Sequence, residues 1–440
     1  MNRQVSSCGP LKGEIRVPGD KSISHRAAIL GSIAHGITII HGYASGIDCQ
    51  STLQCLRDLG VEVKHIKEEA ESMSQHMILI HGKGPSGLQE PQDVLDAGNS
   101  GTTIRLMAGV LASSDFFSVI TGDASLRRRP MARVIEPLRE MGATIFGRGG
   151  SKYAPLAIKG AALRPITWNA PVASAQLKSC ILLAGLLGGG ATVVEPAISR
   201  DHTERMLRFF GIQVHESFGG GEHTVSVDGN KEFSGKEIFI PGDISSAAFL
   251  LAAAALVPGS SIVVRDVGIN PTRAGFLDCL RSMGNEAKYL DERSDGPEPV
   301  ADIAVSYGQL KGITIEGPAI PGVIDEIPIL AVMATQAEGE TIIRGAGELR
   351  AKESDRIAAL ASELTKIGGR VRELPDGIVI SGKTPIRGGV TCSSHGDHRV
   401  AMALAIAGLI SSEPIVIEGA ECVDISFPGF WETLDALTGN

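Results

Sequence analysis

Pro18-Gly19-Asp20-Lys21-Ser22-Ile23-Ser24 returns, past the midpoint of the 440-residue chain, as Pro241-Gly242-Asp243-Ile244-Ser245-Ser246. Each copy is a polar, glycine-containing turn set in front of an apolar Ala/Leu-rich run, the pattern of a helix start. Looser versions of the phrase stand between and beyond them. They are Gly98-Asn99-Ser100-Gly101, Ala173-Ser174-Ala175-Gln176, Val323-Ile324-Asp325-Glu326 and His395-Gly396-Asp397-His398. The six starts recur at roughly 70–80 residues, which is the spacing of a repeated supersecondary unit. Behind each apolar helix come a small-residue break, a β-branched strand and a shorter amphipathic helix ending in Gly or a close relative. The shorter helices are expected at Thr52–Gly60, Val134–Gly142, Glu204–Gly211, Phe276–Gly284, Ile357–Gly368 and Trp431–Thr438. Strands such as Val61–Lys64, Ala143–Phe146 and Gln213–His215 follow the first three. The unit therefore reads as β-α-β-α-β-β, six times over.

Six units with the strongest likeness between the first and the fourth suggest two groups of three. The Pro18-Gly19 and Pro241-Gly242 pairs then mark crossovers between two similar α/β domains, one spanning 19–240 and the other 1–18 with 241–440. The short strand Leu11–Val17 is expected to join the second domain's sheet. A single large mixed α/β domain is the alternative. A doubly wound nucleotide fold is disfavoured, because no G-x-G-x-x-G follows the first strand. Gly377-Ile378-Val379-Ile380-Ser381-Gly382-Lys383-Thr384 matches a phosphate-loop pattern letter for letter. Its variable positions read as a strand, however, and Thr384-Pro385 follows where a helix should begin, so it is rejected.

Composition narrows the function classes. Hydrophobic residues make up 43% and charged residues 21%, as in a globular protein, while the net charge of −9 argues against a nucleic-acid surface. The most apolar stretch, Ala247–Val257, has about eleven residues, too short for a bilayer, and no signal peptide is expected after Met1-Asn2-Arg3-Gln4. Seven cysteines without a C-x-x-C pair suggest idle thiols of a reducing cytoplasm. No interface stripe stands out, so a monomer is expected.

Helix N-termini attract anions through free N–H groups and the macrodipole, and several of these starts carry cations. Lys21 and Ser22 stand at the first mouth, with Arg26 about one turn further on. Small residues around Gly101 allow close approach of a ligand to the backbone, and Arg105 lies just inside that helix. Arg129 precedes Pro130, which can occupy the first turn of a helix. Ser174, Gln176, Lys178 and Arg200 mark two further starts. In the second half, Asp325-Glu326 precedes a helix, Lys352, Glu353 and Arg356 fall within about one turn of each other, and Arg399 follows Asp397-His398. Each motif by itself also reads as an ordinary cap or a solvated charged face. A metal at His395-Gly396-Asp397-His398 is disfavoured, since nothing else shows a ligand pattern. With no G-x-S-x-G and no activated Cys, chemistry would rest on positioned acids and bases and on cationic stabilisation.

Together these strings resemble the EPSP synthase family of enolpyruvyl transferases. The matching pieces are Gly19–Arg26, Gly98–Thr102, Arg129-Pro130-Met131, Ser174–Lys178, Arg200–Glu204, Ile324-Asp325-Glu326, Lys352–Arg356, Asp397-His398-Arg399 and Ser426-Phe427-Pro428, in the family's order. The resemblance implies an inverted α/β prism, two three-repeat domains with the active site in the cleft between them. It also implies transfer of the enolpyruvyl group of phosphoenolpyruvate to the 5-hydroxyl of shikimate 3-phosphate, with no metal or cofactor. Carried over by position, Lys21, Ser22, Arg26, Ser174, Ala175, Gln176, Asp325 and Lys352 would hold shikimate 3-phosphate, with Arg200 added. Lys21, Gly101, Arg129, Gln176, Arg356 and Arg399 would hold phosphoenolpyruvate. Asp325 would take the hydroxyl proton, while Glu353 with Lys21 would protonate the methylene carbon. The chain departs from some members in having Ala175 where a second Ser stands and Ile425 where a Lys stands. A sister enzyme acting on UDP-N-acetylglucosamine typically has Lys-Asn in place of Lys21-Ser22 and a Cys in the loop corresponding to 122–130, which is absent here. A non-catalytic anion-binding repeat protein would not need Asp325 and Glu353 together.

Overall fold

The computed structural model describes residues 1–67, 76–294 and 296–439. Its chain divides into two compact units. The continuous unit is Gly19–Ile240 with a short stretch ending at Glu298. The split unit is Met1–Pro18 with Pro241–Ser294 and the chain from Pro299 onward.

In both units the apolar helices form the centre. Ile244–Leu256 has a mean composition so apolar that no polar face remains, and every one of its residues is buried. It packs on Ile327–Gln336 and His398–Gly408, themselves buried over nearly their whole length. The continuous unit repeats the arrangement with Lys21–Ile33, Gly101–Ala112 and Ala175–Leu187. The last two come close at Gly109, where a Cβ would sit 2.3 Å from the Cys180 carbonyl oxygen, so only Gly allows this approach.

The sheets lie outside these helices. In four repeats the strand before the apolar helix runs parallel to the strand after it, whereas the strands flanking Lys21–Ile33 and Ile244–Leu256 take other parallel partners; antiparallel neighbours complete each sheet. Parallel strands need such a crossover, and the apolar helix supplies it. Burial alternates along strands such as Tyr153–Lys159, as expected when one face meets the core. The amphipathic helices, Ile47–Asp58, Ala132–Glu140, His202–Phe209, Gly275–Ser282, Arg356–Lys366 and Phe430–Thr438, bury one side only.

Two of the parallel pairings are made by strands remote in sequence. Glu237–Phe239 lies beside Glu237's partner Ile39 and its neighbours, closing the first repeat of the continuous unit. In the split unit Lys12–Arg16 lies parallel to Ser261–Arg265, while Asn2–Val5 pairs antiparallel with Ile415–Glu418.

Local boundaries differ from the sequence reading at a few points. The helix after Arg127-Arg128-Arg129 starts at Ala132, so Pro130 precedes its first turn rather than occupying it. Ahead of the fifth apolar helix a separate short turn, Ile320–Val323, carries the chain to Asp325. Gly377–Ser381 is a central strand paired with Glu340–Ile343 and with Arg370–Leu374, not a phosphate loop.

Candidate active site

In the continuous unit, functional side chains gather at the N-terminal ends of the three apolar helices. Lys21 is the first residue of its helix, and Asp20 caps that helix by accepting from the Ile23 N–H. The Lys21 ammonium is 3.0 Å from Asp48 Oδ2, with the Lys side chain about one-sixth exposed at 17%. One turn on, Arg26 is buried and donates to Thr203 Oγ1 (2.7 Å), Ser179 Oγ (2.7 Å) and the Ser22 carbonyl (2.8 Å). Burial lowers its pKa to about 10, although Glu204 and Asp20 pull the other way. It therefore remains charged at neutral pH while none of its three hydrogen bonds goes to a carboxylate. Beside it His25 is neutral, because burial, Lys21 and Arg26 all push its pKa well below the ordinary value.

Gly101 opens the second helix, capped by Ser100. A Cβ at Gly101 would stand 2.7 Å from an Arg105 guanidinium nitrogen and 3.4 Å from one of Arg129. The missing side chain thus leaves room for two cations to approach one helix mouth. Arg129 donates to Asn99 Oδ1 at 2.7 Å. Gln176 links the second and third helices: its Oε1 accepts from Arg105 (2.6 Å) and its Nε2 donates to Thr102 Oγ1 (3.0 Å). Gly101, Arg129 and Gln176 are thereby brought together. Ser174 caps the third helix, Ala175 is its first residue, and the half-buried Arg200 lies in the loop after the following strand.

The split unit has a denser cluster. Asp325 ends the turn before Ile327–Gln336, with Glu326 as that helix's N-cap residue. Its Oδ1 is 3.3 Å from Arg356, 3.6 Å from Lys352 and 3.8 Å from Arg399, and its carbonyl accepts from Arg399 at 3.1 Å. Arg356 begins its own helix and is buried, yet it touches three carboxylates. It bonds Glu353 at 2.6 Å and Asp397 at 2.8 Å in addition to Asp325. Burial alone would lower the guanidinium's pKa; Asp397, Glu353 and Asp325 more than reverse that and lock in its charge. Asp397 caps the last apolar helix, and Arg356 holds its carboxyl below the usual range against the effect of burial. Below this layer Arg273 joins Glu326 (2.8 Å) and Asp243 (3.3 Å). Asp325, Lys352, Glu353, Arg356 and Arg399, named from scattered motifs, thus form one cluster.

Asp48 and Arg273 were not singled out from the sequence; with Arg105, Asp397 and Glu326, which were, they hold the named residues in place. Arg105 and Asp397 had a signal, since each lies inside or beside a motif string. Asp48 and Arg273 had none, being brought in from a following helix start and a following loop. Ile425 ends a short turn before Ser426, and neither is basic. Among the described residues no group of three or more His, Cys, Asp or Glu side chains is arranged to hold a metal ion. Nor is any single helix there long and apolar enough to cross a membrane.

This arrangement suits a ligand with several anionic groups and a reaction run by carboxylates fixed against cations. Comparison with known proteins agrees. The family model for EPSP synthase (3-phosphoshikimate 1-carboxyvinyltransferase) matches residues 5–434. A protein of that enzyme name from Desulforudis audaxviator is 53% identical over 438 residues, covering 99% of each chain. One from Bacillus subtilis is 48% identical and covers 97% of each. Among solved structures, an EPSP synthase from Acinetobacter baumannii superposes with a TM-score of 0.85 at 43% identity, over 99% of this chain and 98% of that one.

Proposed function

The chain belongs to the EPSP synthase (3-phosphoshikimate 1-carboxyvinyltransferase) family, and from that premise we propose how its residues divide the reaction. It transfers the enolpyruvyl group of phosphoenolpyruvate to the 5-hydroxyl of shikimate 3-phosphate, releasing phosphate, in the shikimate pathway of aromatic amino acid biosynthesis. Both substrates carry a phosphate and a carboxylate. Lys21, Ser22, Arg26, Ser174, Ala175, Gln176 and Arg200 of the continuous unit hold shikimate 3-phosphate, together with Asp325 and Lys352 of the split unit. Lys21, Gly101, Arg129 and Gln176 hold phosphoenolpyruvate, with Arg356 and Arg399.

The reaction is an addition followed by an elimination. Asp325 accepts the proton of the 5-hydroxyl as its oxygen bonds to C2 of phosphoenolpyruvate. Glu353, with Lys21 beside the substrate, delivers a proton to C3, so that the double bond becomes a methyl-bearing tetrahedral centre. The C2–O bond to phosphate then breaks, a methyl proton returns to Glu353, and the new enol ether is left with inorganic phosphate. The arginines and lysines hold the anionic groups in place and offset charge on the departing phosphate.

The observation that carries this division is the meeting of Asp325 and Glu353 on one buried guanidinium, Arg356, at 3.3 and 2.6 Å. Two carboxyl groups fixed on a common cation, Asp325 ionised and Glu353 entering the cycle protonated and regaining its proton at the elimination, can serve as separate acceptor and donor without drifting apart. The test is phosphate release from phosphoenolpyruvate in metal-free buffer, with and without shikimate 3-phosphate. Release that needs both substrates and collapses in Asp325→Ala supports the assignment, whereas a variant with wild-type turnover removes Asp325 from the role of base. The free thiols favour a reducing compartment such as the cytoplasm, and the net charge of −9 disfavours nucleic-acid binding.

A further inference from the structure

We propose that Glu195 is a positioning residue that sets the spacing of the two loops presenting Ser174 and Arg200, and so tunes affinity for shikimate 3-phosphate without touching it. The proposal rests on the assignment of those loops to the phosphosugar-like substrate made above.

Glu195 is the last residue of the strand Ala191–Glu195 and is completely buried. Its Oε1 accepts from the Ser174 backbone N–H at 3.0 Å, on the residue that caps the third apolar helix. The same carboxyl accepts from Ser199 Oγ, at 2.7 Å through Oε1 and 2.9 Å through Oε2. Ser199 immediately precedes Arg200. One carboxylate therefore fastens two separate loops, each carrying a residue of the phosphate side. A third fastening fixes the carboxylate itself. Lys178, one turn into the Ser174 helix, lies 2.9 Å from Glu195 Oε2 and also donates to the Ser199 carbonyl at 3.3 Å. Lys178 is in turn held by Glu204 at 2.7 Å, in the first turn of the helix that follows Arg200.

No simpler role accounts for this set of bonds. A carboxylate needed only to neutralise Lys178 would be redundant, because Glu204 already does so. A carboxylate needed only to cap the helix would be redundant too, since the Ser174 side chain accepts from the Leu177 N–H. What Glu195 adds is a direct link from the Ser174 backbone to Ser199, beside the bond from Lys178 to the Ser199 carbonyl. It is ionised at neutral pH: burial would raise its pKa, but His223 and Lys178 outweigh that and hold it at about 2.

The test uses the full-length enzyme with both substrates varied separately. Glu195→Gln keeps the shape but has one acceptor oxygen, so it cannot serve Ser174 and Lys178 and Ser199 alike. KM for shikimate 3-phosphate is expected to rise about tenfold, the scale typical of disturbed supporting groups, while KM for phosphoenolpyruvate stays within about twofold. Glu195→Asp retains the charge opposite Lys178 but shortens the reach; it should show the same split and is the deciding variant if Glu195→Gln does not fold. Direct titration of shikimate 3-phosphate into each variant should show the same weakening. Unchanged affinity for shikimate 3-phosphate in a folded variant, or equal loss for both substrates, overturns the proposal. Absence of shikimate 3-phosphate-dependent phosphate release in the wild type would instead remove the functional assignment beneath it.

Discussion

Lys178 and Arg356 are both buried cations ringed by carboxylates, yet one cluster is closed and the other is open. Glu195 and Glu204 around Lys178 are 0% exposed. Asp325 and Glu353 around Arg356 each keep 13% of their side chains accessible. A closed cluster keeps its charged groups away from water and substrate, so its worth is in fixing geometry. An open one keeps carboxylate oxygens within reach of a substrate while the cation behind them holds their position. On the roles proposed above, the same pairing physics serves as framework in the continuous unit and as chemistry in the split unit.

The contrast can be broken most sharply at Asp325. Asp325→Ala should lower kcat by about 10³-fold, within the range for loss of a general base, with little change in unfolding midpoint because the residue is at the open edge. Glu353→Gln should lower kcat by about 10²-fold, again read in steady-state phosphate release. A large loss of stability in either would mean that the open cluster is framework after all. Lys178→Met tests the converse. It strands two buried carboxylates and should cost about 3–5 kcal/mol in urea unfolding, a loss that would appear before any kinetic effect could be interpreted.

Acid separates the two clusters further. Glu195 has a folded-state pKa of about 2 against an ordinary 4.5. A depressed carboxyl contributes stability that is complete above the unfolded value and is lost as pH falls through the folded one. The stability gap between wild type and Glu195→Gln should therefore be widest above pH 4.5 and narrow steadily toward about pH 2. A gap that widens in acid would contradict the assigned sign. The smallest effect is expected at Gly101→Ala. The new methyl would press on Arg105 and Arg129 and shift the partner of Gln176, raising KM for phosphoenolpyruvate about tenfold with fold stability retained.

The repeats were legible because a polar turn before an apolar helix is a local pattern, written six times in contiguous residues. The motif residues Lys21, Arg129, Asp325, Glu353, Arg356 and Arg399 were legible for the same reason, each standing in a short string. Less legible was which of them meet. Asp397 reaches Arg356 across 41 positions and Arg273 reaches Glu326 across 53, distances at which no periodicity survives. Glu195 was invisible for another reason. A Glu ending a β-branched strand before Pro196 has the look of a solvated strand end, and only the fold brings Lys178, Ser174 and Ser199 around it. Boundaries moved where the backbone has a choice, as at Pro130, which lies outside the helix it was expected to open.

The pairing of Asn2–Val5 with Ile415–Glu418 and of Lys12–Arg16 with Ser261–Arg265 imposes an order on synthesis. These early strands find their partners among later ones. At typical elongation rates Asn2–Val5 waits on the order of 20–80 s for its neighbour, while the continuous unit between can already condense. Unpaired strands invite aggregation, and charges along them discourage it. Arg3, Lys12, Glu14 and Arg16 supply such charges on both waiting segments. Charges that form ion pairs in the finished fold, such as Arg3 with Asp435 and Glu14 with Arg265, are thus also of the kind that discourages mispairing while a strand waits.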